Sequence, residues 1–261
     1  MYVKDYEDFK AVIYDMTGIN LSLYKERQMK RRIEALIRKN NYNSFNDYVK
    51  ALQINEKLYQ EFINYLTINV SEFYRNVQQW ELLEKKILPM LFEKSKVLKI
   101  WSAACSTGEE PYTLVMVLSK FLPIGSIKVL ATDIDNEALN KAKIGLYGDK
   151  SVENVPKENL LRFFTREGEY FKIKDEVKRC VEFRKHNLLN DPYPNNCDLI
   201  ICRNVLIYFT EEAKVDIYKK FNRALKKDRV LFVGSTEQII LSQKYNFVPI
   251  ETFFYKKVDD I

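Results

Sequence analysis

The chain has 261 residues, 46% hydrophobic and 30% charged, with 42 lysines and arginines against 36 aspartates and glutamates. That length suits one large or two modest domains with an ample core, and a net charge of +6 is too mild to imply nucleic acid by itself. Cys105, Cys180, Cys197 and Cys202 show no zinc-like pairing and His186 is the only histidine, which disfavours a metal site or a histidine-based dyad. No apolar run approaches the ~18 residues of a membrane span. The charged start MYVKDYEDFK lacks the apolar region of a secretory signal, so a cytoplasmic protein with free thiols is expected.

Residues 1–67 read as all helix. Tyr6 to Thr17 is stopped by Gly18, and Leu23 to Lys39 by Asn40-Asn41. Ser44 with Asp47 starts a third helix that runs through about Leu52, and Asn55 to Leu66 is a fourth. The second helix carries Lys25, Arg27, Lys30, Arg31, Arg32, Arg38 and Lys39 against only Glu26 and Glu34, with Met29, Ile33, Leu36 and Ile37 as its apolar stripe. That face is either a solvated basic surface or a docking surface for an acidic partner. It lacks the interleaved aromatics of a base-stacking surface, so RNA is not the expected partner. Residues 68–96 form a linker and connecting helix. The stretch TINVSEFYRN sets Asn69, Ser71, Phe73 and Arg75 beside the next domain, and Pro89 is expected to kink or split the helical run Gln78 to Glu93.

From Val97 the pattern turns to α/β. VLKIW reads as a buried strand, the small residues Ser102 to Gly108 as a tight loop, and Glu109-Glu110-Pro111 as the start of a helix ending near Phe121. This is the first unit of a doubly wound domain, in which ligands sit outside the carboxyl ends of the strands. The loop has neither G-x-G-x-x-G nor G-K-[ST], which argues against a dinucleotide or a nucleoside triphosphate. Glu109 and Glu110 suit a ligand with a positive charge and hydroxyls, such as S-adenosylmethionine (SAM), unless they only favour the helix N-terminus. Ile127 to Asp133 is the second strand. Asp133 falls 25 residues after Gly108, where such folds place the acidic residue that takes ribose hydroxyls; Asp135 or Asn136 caps the helix to Lys143.

Residues 147–184 read as an inserted antiparallel β-subdomain. It comprises a short helix Pro156 to Phe164, a turn Thr165 to Glu169, an edge strand Tyr170 to Lys174 and a strand opening at Val181. His186 is structural in this reading, while Asn187 and Leu188, past a strand end, suit a purine. Cys197 to Asn204 is the most buried-looking strand and ends in Arg203-Asn204, with Tyr208 just beyond. Helix Glu211 to Leu225, strand Arg229 to Gly234 and a closing hairpin from Phe247 to Ile250 and Phe253 to Lys257 complete an α/β domain 97–261, the expected SAM-binding domain.

NVSEFYRN, IWSAACSTGEEPY, ATDID, HNLL and DLIICRNVLIYF, in this order, closely resemble the CheR family, the SAM-dependent methyltransferases of bacterial chemotaxis receptors. The resemblance spans essentially the whole chain. It implies an all-α N-terminal domain joined to a Rossmann-like methyltransferase domain with a small β-subdomain. It also implies methyl transfer to receptor glutamates, giving γ-methyl esters and S-adenosylhomocysteine, by a monomer that does not enter the membrane. The implied cofactor contacts are Asn69, Ser71, Arg75, Glu110, Asp133, Asn187, Leu188, Cys202 and Arg203. Tyr208 matches a tyrosine near the transferred methyl, and Arg75 and Tyr208 are the implied catalytic residues; Arg75 clamps the carboxylate of either SAM or the substrate. The basic second helix resembles the surface that meets acidic methylation helices. Some members use a longer glycine-rich loop to bind a receptor pentapeptide; Thr165 to Tyr170, with Gly168 alone, resembles the shorter form, which implies no tether. Outside the family reading, a methyltransferase for a small molecule or RNA and a SAM-binding adaptor remain as alternatives.

Overall fold

The computed structural model of the chain describes residues 2–259; Met1, Asp260 and Ile261, at the outer limits of the expected domains, lie outside the described residues. It divides into two units. One runs through Ile68 and adds Val205–Asp216; the other is Asn69–Asn204 with the chain from Ile217 on.

The first unit holds α1 (Tyr6–Thr17), α2 (Glu26–Lys39), α3 (Phe45–Ile54) and α4 (Glu56–Thr67). Local capping chemistry sets most of these bounds. The Asp5 side chain accepts from the N–H groups of Glu7 and Asp8, and the Gly18 N–H closes α1 on Tyr14. Ser44 Oγ accepts from Asp47 N–H and donates to its carboxylate, which fixes the start of α3. The helix expected from Leu23 begins three residues later. Leu21–Leu23 is a 3-10 turn, and Tyr24 bridges Phe209 in antiparallel fashion. Lys25 N–H donates to Tyr208 O at 2.9 Å, Thr210 N–H donates to Leu23 O at 2.9 Å, and the Tyr24 and Phe209 rings meet edge-on at 5.0 Å. Pairing with a segment far along the chain therefore overrides helix propensity at Tyr24. Met29, Ile33, Leu36 and Ile37 form the buried stripe of α2 as expected.

The second unit opens with α5 (Val77–Leu82), a π-helical turn Leu83–Ile87 and α6 (Leu88–Lys94). The break expected at Pro89 takes the form of that wider turn, in which Leu88 N–H donates to Leu83 O. A proline lacks the N–H and crowds the carbonyl four residues back, and a π turn loosens the ladder at that point. Next come β1 (Ile100–Ala103), α7 (Glu109–Leu118), β2 (Val129–Asp133) and α8 (Asn136–Ile144). An insert follows, made of β3 (Leu146–Tyr147), α9 (Asp149–Val152), α10 (Lys157–Phe163), β4 (Phe164–Glu167), β5 (Tyr170–Ile173) and α11 (Asp175–Lys178). The chain then returns through β6 (Val181–Lys185), β7 (Cys197–Cys202), α12 (Glu211–Ala224), β8 (Leu225–Val233), β9 (Phe247–Glu251) and β10 (Phe254–Lys257).

The main sheet has the order β6-β2-β1-β7-β8-β10-β9. Its first five strands are parallel, and β10 and β9 form the expected closing hairpin antiparallel to β8. Three expectations need correction. Thr165 to Glu167 is strand rather than turn, leaving Gly168-Glu169 as a two-residue connection, and β5 is the centre of the small β3-β5-β4 sheet rather than an edge. The strand opening at Val181 pairs parallel with β2 in the main sheet, so the insert ends before Val181 and not at residue 184. Strand order reverses between β1 and β7, because the chain winds outward from β1 to β2 and β6 and then returns to β7 on the other side. Ligands of such sheets sit at the carboxyl ends beside this switch point.

Candidate active site

The strand register puts four ends on one edge. Ala103 lies opposite both Thr132 and Cys202, and Asp133 lies opposite Lys185. The loop after β1 then turns tightly, with Ala104 at φ +62, Ser106 at φ +48 and Gly108 at φ +95. Gly108 is needed twice over: its φ is left-handed, and a Cβ there would lie 2.8 Å from Ala142 Cβ. The loop folds onto Asp133, whose carboxylate accepts Ser106 N–H at 2.7 Å and Asp135 N–H at 3.0 Å. Asp135 is the helix cap, accepting from Glu137 and Ala138 N–H. The two aspartates thus have separate tasks, and Asp133 keeps lone pairs beyond its two backbone bonds.

The linker is tied to the same loop. Asn69 donates to Asp135 at 2.6 Å and accepts from Ser106 Oγ at 3.0 Å. Asn69, Ser71 and Arg75 line a cavity of about 490 Å³ with Glu72, Thr107, Glu109 and Tyr147. Glu110 lies along another contact, accepting Ser102 Oγ at 2.8 Å and facing the Arg203 guanidinium at 3.8 Å. Cys202, fully buried, ends β7 next to Arg203. Past β6, His186 N–H donates to Asp133 O at 2.8 Å, which brings the following Asn187 and the buried Leu188 to the same edge; the Asn187 side chain accepts Leu189 N–H. His186 itself packs edge-on against Trp101 at 5.4 Å, and burial lowers its pKa, which fits a structural role. Tyr208 belongs to the first unit, in a 3-10 turn Leu206–Tyr208 whose end is held by Lys25.

Three residues were missed in the sequence. Gln79 and Asn76 both accept from Arg203. Glu237 is 5% exposed and accepts the N–H groups of Asn204 and Gly234. The signal for Glu237 was present: an acidic residue three positions after Gly234, at the end of the strand RVLFVG.

Two family models match the chain: "CheR methyltransferase, SAM binding domain" over residues 69–254 and "CheR methyltransferase, all-alpha domain" over residues 4–67. The chain belongs to the CheR methyltransferase family. A chemotaxis protein methyltransferase of Listeria monocytogenes is 42% identical over 255 residues, covering 97% of each chain. The chemotaxis protein methyltransferase of Escherichia coli is 35% identical over 237 residues, 87% of this chain and 81% of that one. A solved Pyrococcus horikoshii structure is 18% identical and covers 70% of this chain and 75% of its own, with a TM-score of 0.36, too loose to add to the argument. This CheR protein is thus a SAM-dependent methyltransferase with an all-α domain and a SAM-binding domain, and among the described residues no helix is long and apolar enough to cross a membrane.

The residues at the strand ends fit SAM. Burial holds Glu110 up to about 7, against the downward pull of Arg203, and holds Asp133 up to about 6, against its backbone hydrogen bonds. Ionising either inside the protein is unfavourable; a cationic group beside Glu110 and hydroxyl donors on Asp133, both of which SAM offers, would favour the ionised forms. The sign follows: between the ordinary carboxylate range and about 7, the folded protein keeps protons that an unfolded chain has lost, so these groups favour folding less as pH rises. A ligand that prefers the ionised forms, through its positive charge or its hydroxyl donors, binds more tightly as pH rises through the same window. SAM affinity should therefore increase between about pH 5.5 and pH 7.5, by at most ~10-fold per pH unit for each proton released. Calorimetry in buffers of different ionisation enthalpy measures this; a flat profile with no proton release would contradict it.

Proposed function

We propose that this CheR protein transfers the methyl group of SAM to glutamate side chains of chemotaxis receptors, giving γ-methyl esters, and that it does so without a receptor C-terminal pentapeptide tether. The observation carrying this reading is the convergence of Asp133, Glu110 and the linker residues Asn69 and Arg75 at the switch point. Asp133 takes ribose hydroxyls, Asn187 and Leu188 the adenine, and Asn69, Ser71, Glu110 and Cys202 the remaining contacts, with Arg203 contributing its backbone. When bound, SAM supplies a methyl group on a positively charged sulfur. The nucleophile needs no activation, because a glutamate with a reference pKa of about 4.3 is already ionised at neutral pH. The protein's part is alignment and exclusion of water. Arg75 clamps a carboxylate through its guanidinium, and Tyr208 orients the reacting oxygen or lines the methyl pocket. The two-residue Gly168-Glu169 connection supports the tether-free reading.

The receptor surface in this reading is α2. Lys25, Arg27, Gln28, Arg31, Arg32 and Ala35 line a groove of about 600 Å³ with Tyr65. Arg32 is used internally, donating to Tyr65 O at 2.6 Å and lying over the Tyr65 ring. Arg27 and Arg31, one turn apart, are exposed and form no ion pair among the described residues, which suits both to an acidic helix. Charge reversal by Arg27→Glu with Arg31→Glu should raise KM for the receptor by ~10-fold or more at low salt and leave SAM affinity unchanged, with the effect shrinking as salt is added. An unchanged receptor KM would remove α2 from the interface.

A further inference from the structure

Arg203 is an unusual cofactor contact, because its side chain is committed elsewhere. Only 2% of the side chain is exposed. Its Nη2 faces Arg75 O at 2.8 Å, Asn76 Oδ1 at 3.0 Å and Gln79 Oε1 at 2.8 Å. The guanidinium lies over the Phe232 ring at 4.9 Å and the Trp80 ring at 5.5 Å. Trp80 Nε1 donates to the same Arg75 carbonyl at 3.1 Å. The segment so held is strained: Tyr74 and Asn76, flanking Arg75, have φ of +52 and +60. Left-handed backbone is unfavourable for a tyrosine and milder for an asparagine, so at Tyr74 it persists only where its surroundings impose it.

Arg203 is in turn held by its own backbone. Next along the chain, Asn204 has φ +60, and its N–H donates to Glu237 Oε2 at 2.6 Å. The same oxygen accepts Gly234 N–H at 2.8 Å. A Cβ on Gly234 would fall 2.4 Å from that oxygen and 2.8 Å from Asn204 N, so the close approach requires glycine.

We infer that Arg203 and Glu237 serve the reaction as positioning residues: Arg203 holds the backbone that carries Arg75, and Glu237 holds the backbone that carries Arg203. This rests on the reading of the strand-end cleft as the SAM site. The alternative is that both residues only support the fold.

A double-mutant cycle in the full-length protein separates these. Arg203→Lys keeps a cation and removes the planar fork, and Glu237→Gln keeps an acceptor oxygen and removes the charge. Each is made in the wild-type and the Arg75→Lys backgrounds. SAM affinity is read by calorimetry, and kcat and KM by methyl transfer to receptor-bearing membranes. In the wild-type background, Arg203→Lys should lower whichever quantity Arg75→Lys lowers by ~10-fold, and in the Arg75→Lys background by less than ~2-fold, because neighbours acting through one group are not additive. Glu237→Gln should show the same non-additivity, and it carries the test alone if Arg203→Lys does not fold. Equal losses in both backgrounds, or no loss, would overturn the inference while SAM binding by the wild type left the site reading standing. Failure of the wild type to bind SAM would overturn both.

Discussion

Replacing Asp133 by alanine should weaken SAM binding by ~100-fold or more, the largest effect of any single change at the cleft. Two losses combine. The proposed acceptor for the ribose hydroxyls disappears, and hydrogen bonds to a charged group are worth about 1.5–3 kcal/mol each. The N–H groups of Ser106 and Asp135, held at 2.7 and 3.0 Å, also lose their acceptor, so the left-handed turn at Ser106 is no longer imposed. About 3 kcal/mol corresponds to ~100-fold in affinity. Asp133→Asn keeps one acceptor oxygen and should lose less, ~10-fold. Calorimetric titration with SAM decides the matter; affinity within about threefold of wild type would exclude Asp133 from the ribose site.

The second large effect is on stability. Asp198 is completely buried at the start of β7, where it accepts Arg229 Nε at 2.9 Å, Lys226 Nζ at 2.9 Å and Lys99 N–H at 2.8 Å. The Arg229 side chain is only 7% exposed, and its other reach is to Leu91 O. Asp198→Ala leaves that guanidinium buried without its counter-charge, which typically costs about 3–5 kcal/mol. The pair need not be a net source of stability, since well-packed apolar replacements for both partners are often neutral or better. Asp198→Leu with Arg229→Met should therefore recover most of what Asp198→Ala loses. Denaturant unfolding of the three variants checks this, and a loss below about 1 kcal/mol for Asp198→Ala would show that water relieves the stranded arginine.

What was legible in the sequence depended on distance along the chain. The Asp5, Ser44 and Asp135 caps act over two or three residues, so each helix start they mark stands where the pattern placed it. The strand–loop–helix unit around Gly108 and the chain position of Asp133 are also local. The start of α2 was not legible, because Tyr24 is taken from the helix by Phe209, far along the chain. The membership of β6 was hidden for the same reason: Val181 to Lys185 reads as a strand either way, and only its parallel pairing with β2 assigns it to the main sheet. At the site, motif resemblance named Arg203 without its use. That its guanidinium turns onto the linker, and that Glu237 supports Asn204, are facts of tertiary geometry that no spacing encodes.

The most direct measurement is to incubate the protein with methyl-labelled SAM and membranes carrying chemotaxis receptors, then expose the labelled receptor to mild base. The predicted result is label on the receptor that mild base releases, as a carboxyl methyl ester requires. Label that survives base, or no label although calorimetry shows SAM bound, would contradict transfer to receptor glutamates and send the search to another substrate.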